Sequence, residues 1–154
     1  MNQPQVAGSG RTPTTRFAPG DDLDRRLLAR AEAALADLTP QFLAMVRGEL
    51  QRMQQALETA RTRPESAAAA RQAIFAAAHD LRGIGSTFGY PLVSRFAQSL
   101  CHYLQGRTVD LAVVQAHFEA LSAVIENRVK GGGGPLAHRI GRALEALVTG
   151  HTGG

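Results

Sequence analysis

Apolar side chains recur along this chain at steps of three and four residues and almost nowhere alternate in twos, so the pattern predicts helices and no sheet. Leu23, Leu27, Ala31, Leu35 and Leu38 form the first stripe, opened by Asp21 and Asp22, acids that favour a helix start. Thr39-Pro40 then offers a cap followed by proline at a first helical position, and Leu43, Val46, Leu50, Met53 and Leu57 carry a second helix to about Arg61. Pro64-Glu65 restarts the chain into an alanine-rich third helix with Ile74, Ala78 and Leu81 on one face. Gly89-Tyr90-Pro91 redirects it into a fourth, striped by Leu92, Phe96, Leu100 and Leu104 and ending near Gly106. Thr108 can cap a fifth, whose Leu111, Val114, Phe118, Leu121 and Ile125 make the most regular seam in the sequence. Beyond Gly131 to Gly134, Leu136, Ile140, Leu144 and Leu147 resume the period in a short sixth helix.

Connections of a few residues between the middle helices favour antiparallel neighbours, so the expected class is all-α: an up-down four-helix bundle with additional flanking helices. The expected organisation is a disordered leader over 1–20, a helical bundle over 21–130, a glycine-rich linker over 131–135 and a short C-terminal helix over 136–149. The leader follows from three prolines, three glycines and four threonines or serines in its twenty residues, which leave too little apolar surface to offset ordering. The glycine run is a linker and not a phosphate loop, since its lysine precedes the glycines and no Ser or Thr follows them.

Composition narrows the function. At 154 residues and 44% hydrophobic content the chain can build one buried core. Its formal charge of +4 includes two arginines in the leader and no run of five basic residues, so a solvated basic surface is expected, with no nucleic-acid partner. That surface suits docking on an acidic protein, because complementary charge speeds encounter. No apolar run approaches the roughly 18 residues of a membrane span, and residues 1–20 lack the apolar centre of a signal peptide. A single cysteine, Cys101, excludes an internal disulfide and a cysteine zinc site and reads as a small buried side chain. His102, His117, His138 and His151 show no metal-ligand spacing, so no metal site is expected. The protein is expected in the cytoplasm, without membrane contact.

One segment carries chemistry: Ala78-His79-Asp80-Leu81-Arg82-Gly83-Ile84-Gly85-Ser86. At about 100° per residue His79 lies roughly 160° round the helix from Leu81, so a core-facing Leu81 turns His79 to solvent. Gln72, Ala76, Arg82, Gly83 and Ser86 fall within about 60° of it on the same rotation. Glycine in a helix interior costs about 1 kcal/mol relative to alanine, so Gly83 calls for a reason other than helix stability. An exposed neutral imidazole is a nucleophile near neutral pH, and small neighbours such as Ala76, Gly83 and Ser86 would let another protein reach it. Arg82, one turn on, presents a fork of donors suited to phosphoryl oxygens.

His79, Arg82, Gly83 and Gly89 resemble the pattern of the histidine-phosphotransfer (HPt) family: a histidine, a basic residue three on, a glycine four on and a second glycine ten on. Lysine is commoner at the basic place; Arg82 keeps the charge. The resemblance implies that His79 takes a phosphoryl group from the aspartyl phosphate of a receiver domain and passes it to another receiver aspartate. Such a protein is a phosphorelay carrier, not an enzyme with an ATP site, and works as a monomer. It has no cofactor of its own, any divalent metal being the receiver's. Its partners are receiver domains of response regulators or hybrid kinases. A polar side chain on the following helix often bonds the histidine in this family. Gln98, His102 and Arg95 lie in that segment, with Gln98 and Gln72 as the candidates to contact or position the phosphate.

Two other readings stand beside it. His79-Asp80-Leu81-Arg82 is similar to the start of the histidine-kinase H-box, which would imply a dimeric phosphotransfer module. The usual threonine and proline are replaced by Gly83-Ile84, and nothing downstream resembles an ATP-binding domain. The alternative of a different class is a non-catalytic helical adaptor in which His79 is incidental.

Overall fold

A computed structural model describes residues 19–152; the expected leader, up to residue 18, lies outside them. Five helices follow one another: α1 (Pro19–Thr62), α2 (Ala67–Ile84), α3 (Pro91–Leu104), α4 (Leu111–Glu126) and α5 (Gly134–Thr152). Single 3-10 turns at Pro64–Ser66 and Ser86–Phe88 lead into and out of α2. The described residues contain no strand, and none of their helices is long and apolar enough to cross a membrane. The chain divides into two units, one ending at Leu35 and the other running from Ala36.

The expected break at Thr39-Pro40 is absent: α1 is continuous and Pro40 lies inside it. Proline removes one backbone bond and crowds the carbonyl four residues back, but its fixed φ is itself helical. The apolar period also crosses the proline in phase, since Leu28, Leu35 and Phe42 follow at seven-residue steps. No change of register marks an end.

The second unit is the up-down bundle. One of its ends gathers Phe42, stacked on Phe88 at 4.5 Å and tilted against Tyr90 at 5.4 Å, with the Gly131 N–H donating to the Gly89 carbonyl at 3.0 Å. The opposite end gathers Arg61, which donates to Gln115 at 2.9 Å, and His151, 3.3 Å from Asp110. Between them α1 from Phe42 onward, α2, α3 and α4 bury one core that includes Met53, Leu57, Ile74, Leu81, Phe96, Leu100, Leu121 and Ile125. Helix α5 adds Ala137, Leu144 and Val148 to it.

Local chemistry sets the boundaries. Asp110, not Thr108, caps α4, accepting the Ala112 N–H at 2.8 Å, while its own N–H donates to the Tyr103 hydroxyl at 2.7 Å. The Arg71 guanidinium donates to the Leu104 and Gly106 carbonyls and so closes the C-terminal end of α3.

His117 is fully buried in this core. The Val113 carbonyl, 2.8 Å away, can only accept, so Nδ1 carries the proton and Nε2 accepts from the Ser99 hydroxyl at 2.9 Å. Burial holds the imidazole pKa below its ordinary value, with the Val113 bond offsetting part of the effect. A histidine whose folded pKa is depressed binds its proton first in the unfolded chain, so stability is present above about pH 6.5 and falls as pH drops towards the folded value. We expect the unfolding free energy from urea titrations to fall between pH 7.5 and 5.5, by up to about 1.4 kcal/mol per pH unit for this one group. His117→Gln should flatten that slope, and an unchanged slope would show that His117 is not its source.

Candidate functional site

Helix α2 turns Ala70, Ile74, Ala77, Ala78 and Leu81 inward. The opposite face holds Gln72, His79, Arg82 and Gly83, all exposed. His79 therefore stands where its rotation from Leu81 put it, with 55% of its side chain accessible. Neither of its ring nitrogens is in a hydrogen bond among the described residues; the nearest charge is Asp80, whose Oδ1 is 3.8 Å from Nδ1. The Phe75 ring, one turn earlier, lies 6.2 Å from the imidazole centroid at an interplanar angle of 30°. The Phe75 ring and, on the Nδ1 side, the Asp80 carboxylate are thus neighbours of the imidazole.

Arg82 is one turn above His79, on the side of α2 that faces α3. Its charge reaches the buried Cys101 of α3, whose thiol pKa is raised by burial and drawn partly back by Arg82. On the α1 side stands Gly83. A methyl group there would meet no heavy atom within 4 Å beyond its own helical backbone, so nothing in the packing of this chain asks for glycine.

Gly85 is the opposite case. A Cβ would lie 2.7 Å from Ser94 Oγ and 2.8 Å from both the Ser94 nitrogen and the Tyr90 carbonyl. Here the ends of α2 and α3 meet, tied by the Tyr90 N–H to the Gly85 carbonyl at 2.9 Å and by the Ser86 N–H to Ser94 Oγ at 2.9 Å. Gly89 then closes the turn with φ of 82°, a left-handed conformation that glycine adopts without strain.

The remaining candidates are spread out. Ala76 lines a groove between α1 and α2, next to Asp80. Ser86 is exposed in the turn beyond α2. Gln72 is on the His79 face but two turns, about 10 Å, along the axis. Gln98, Arg95 and His102 line a groove between α3 and α5, where Arg95 bonds Glu145 at 2.8 Å. No hydrogen bond or ring contact joins any of the three to His79 among the described residues. Phe75 is a neighbour that the sequence pattern did not single out, although its spacing of four residues from His79 was the signal for it; Asp80 entered only through the likeness to the H-box.

The outer face of α2 thus displays an exposed histidine, without a hydrogen bond among the described residues, beside an arginine and an unforced glycine. The family model for the Hpt domain matches residues 37–148, and the chain belongs to that family. Comparisons with curated proteins and with solved structures returned no significant match. Hpt domains serve histidine phosphotransfer in two-component signalling as phosphocarriers and do not themselves use ATP.

Proposed function

We propose that this protein relays a phosphoryl group between receiver-domain aspartates, with His79 as acceptor and donor. The observation that carries the reading is the exposed, unengaged imidazole of His79 on the outer face of α2. Nε2, directed away from Asp80, attacks the phosphorus of an aspartyl phosphate. The new P–N bond forms as the P–O bond to the aspartate breaks, and the carboxylate leaves with the bonding pair. Nδ1 keeps its proton, so the ring becomes cationic, and the Asp80 carboxylate beside Nδ1 offsets that charge. Onward transfer to a second aspartate is the same exchange in reverse. The receiver contributes any divalent cation; this chain contributes the nucleophile, the Arg82 fork and the clearance at Ala76, Gly83 and Ser86. Gln72, about 10 Å along the axis from His79, and Gln98, in the groove against α5, are given no phosphate contact in this scheme.

Phosphorus NMR of the chain after mixing with a phosphorylated receiver tests the assignment: the resonance of phosphohistidine substituted at Nε2 is expected, and substitution at Nδ1 would refute the role given to Asp80. Arg82→Ala should slow transfer by about tenfold to a hundredfold without abolishing it, because the arginine steadies the phosphate and makes no bond to phosphorus. Complete loss with an intact circular dichroism spectrum would contradict that division of roles.

A further inference from the structure

Helix α2 is built largely of alanine. Of its 18 residues eight are alanine, and its one phenylalanine, Phe75, stands four residues before His79. That spacing puts Phe75 about 6 Å back along the axis and about 40° round the helix from the histidine. Helical Cα–Cβ bonds tilt towards the N-terminus, so a long side chain covers the turn before its own and leaves the turn after it open. His79 leans towards Phe75 in this way: the two rings are stacked, with centroids 6.2 Å apart and planes at 30°. Gly83 is on the following turn, the open side.

Packing explains an apolar side chain at 75 but not an aromatic one. Phe75 is half-buried at the edge of the core, where leucine would serve about as well. What the benzene ring adds is a face of negative potential, which attracts a positive charge within about 6 Å of its centre. The imidazole stacks on that face, and its charge differs between the two ends of the transfer. Nε2 must hold a free lone pair to attack, so the attacking ring is neutral. The ring that carries phosphorus on Nε2 and a proton on Nδ1 is cationic.

We propose that Phe75 is a positioning residue for the phosphoryl carrier, its face holding the imidazole and favouring the cationic, phosphorylated state of His79 over the free one. The inference rests on the relay reading above. Phe75 makes no bond in the exchange, in which the P–N bond forms as the P–O bond breaks; it changes only the relative stability of the two ends. At equilibrium between receiver and chain the cost of docking cancels, because both directions pass through one complex. A residue that only packs, or only shapes the approach of the receiver, leaves that equilibrium where it was.

Forward and reverse transfer between the full chain and one phosphorylated receiver domain give the equilibrium constant as a ratio of rates. Phe75→Leu should shift it towards the receiver by about twofold to fivefold, the factor that corresponds to an exposed charge on an aromatic face. Phe75→Met repeats the test should leucine unsettle the fold. Phe75→Tyr should keep the wild-type value, and Phe75→Trp, with the strongest face, should match or exceed it. A constant unchanged in Phe75→Leu and Phe75→Met, or aromatic variants that fall to the level of leucine, would overturn the proposal while leaving His79 as the carrier. A wild type that accepts no phosphoryl group would remove the relay reading, and this inference with it.

Discussion

Gly83→Gln will slow phosphoryl transfer by on the order of a hundredfold while leaving the bundle at least as stable as before. The two halves of this result have separate causes. The chain leaves open space at Gly83, and glutamine is a better helix former than glycine, so the folded state should gain about 0.5–1 kcal/mol. The donor phosphoryl, however, sits on another protein, whose surface must bring it within bonding distance of Nε2. A side chain one turn above His79 stands in that approach, and displacement by about 1 Å can cost a hundredfold in rate. Gly83→Ala, with only a methyl group, should give the stability gain and a small loss of rate. Normal transfer by Gly83→Gln, measured with a phosphorylated receiver in single turnover, would show that the glycine is not there for clearance.

Gly85→Ala, two residues away, should act in the opposite sense and destabilise the fold by about 2–4 kcal/mol. The methyl group would fall within 2.8 Å of the Ser94 nitrogen and the Tyr90 carbonyl, both backbone atoms at the start of α3. Neither can turn away. Ser94 Oγ can rotate, but it then gives up the Ser86 N–H and leaves that donor without its partner. Relief requires α3 to move off α2, which opens the core around Leu81, Val93 and Ala97, all buried. Urea denaturation of the two alanine variants side by side should give midpoints on either side of the wild type. Equal midpoints would mean that the close approach at Gly85 is absorbed elsewhere.

The contrast between these glycines marks how far the sequence was legible. Both appear as costs within one helix, and only the cross-helix contact with Ser94 separates the glycine that the fold requires from the one it does not. His79 was legible because its exposure follows from its rotation relative to Leu81 within one helix, where periodicity is sufficient. Gly89 was legible as a turn for the same local reason. His117 was not: in the sequence it interrupts the apolar seam of α4, and its burial depends on Ser99, eighteen residues earlier on α3. The continuity of α1 was hidden because Thr39-Pro40 is a good local start signal, and the in-phase leucines on both sides outweigh it. The polar side chains of α3 were drawn towards His79 by family resemblance alone; Arg95 and His102 instead line the groove against α5, together with Gln98.

The central claim is that His79 is the phosphoryl carrier. The direct measurement is incubation of the purified chain with radiolabelled phospho-receiver domains, wild type beside His79→Ala, followed by acid and alkali treatment of the labelled band. The account predicts acid-labile, alkali-stable label on the wild type and none on His79→Ala with its circular dichroism unchanged. Label that persists on His79→Ala, or a folded wild type that accepts none from any receiver, would contradict it.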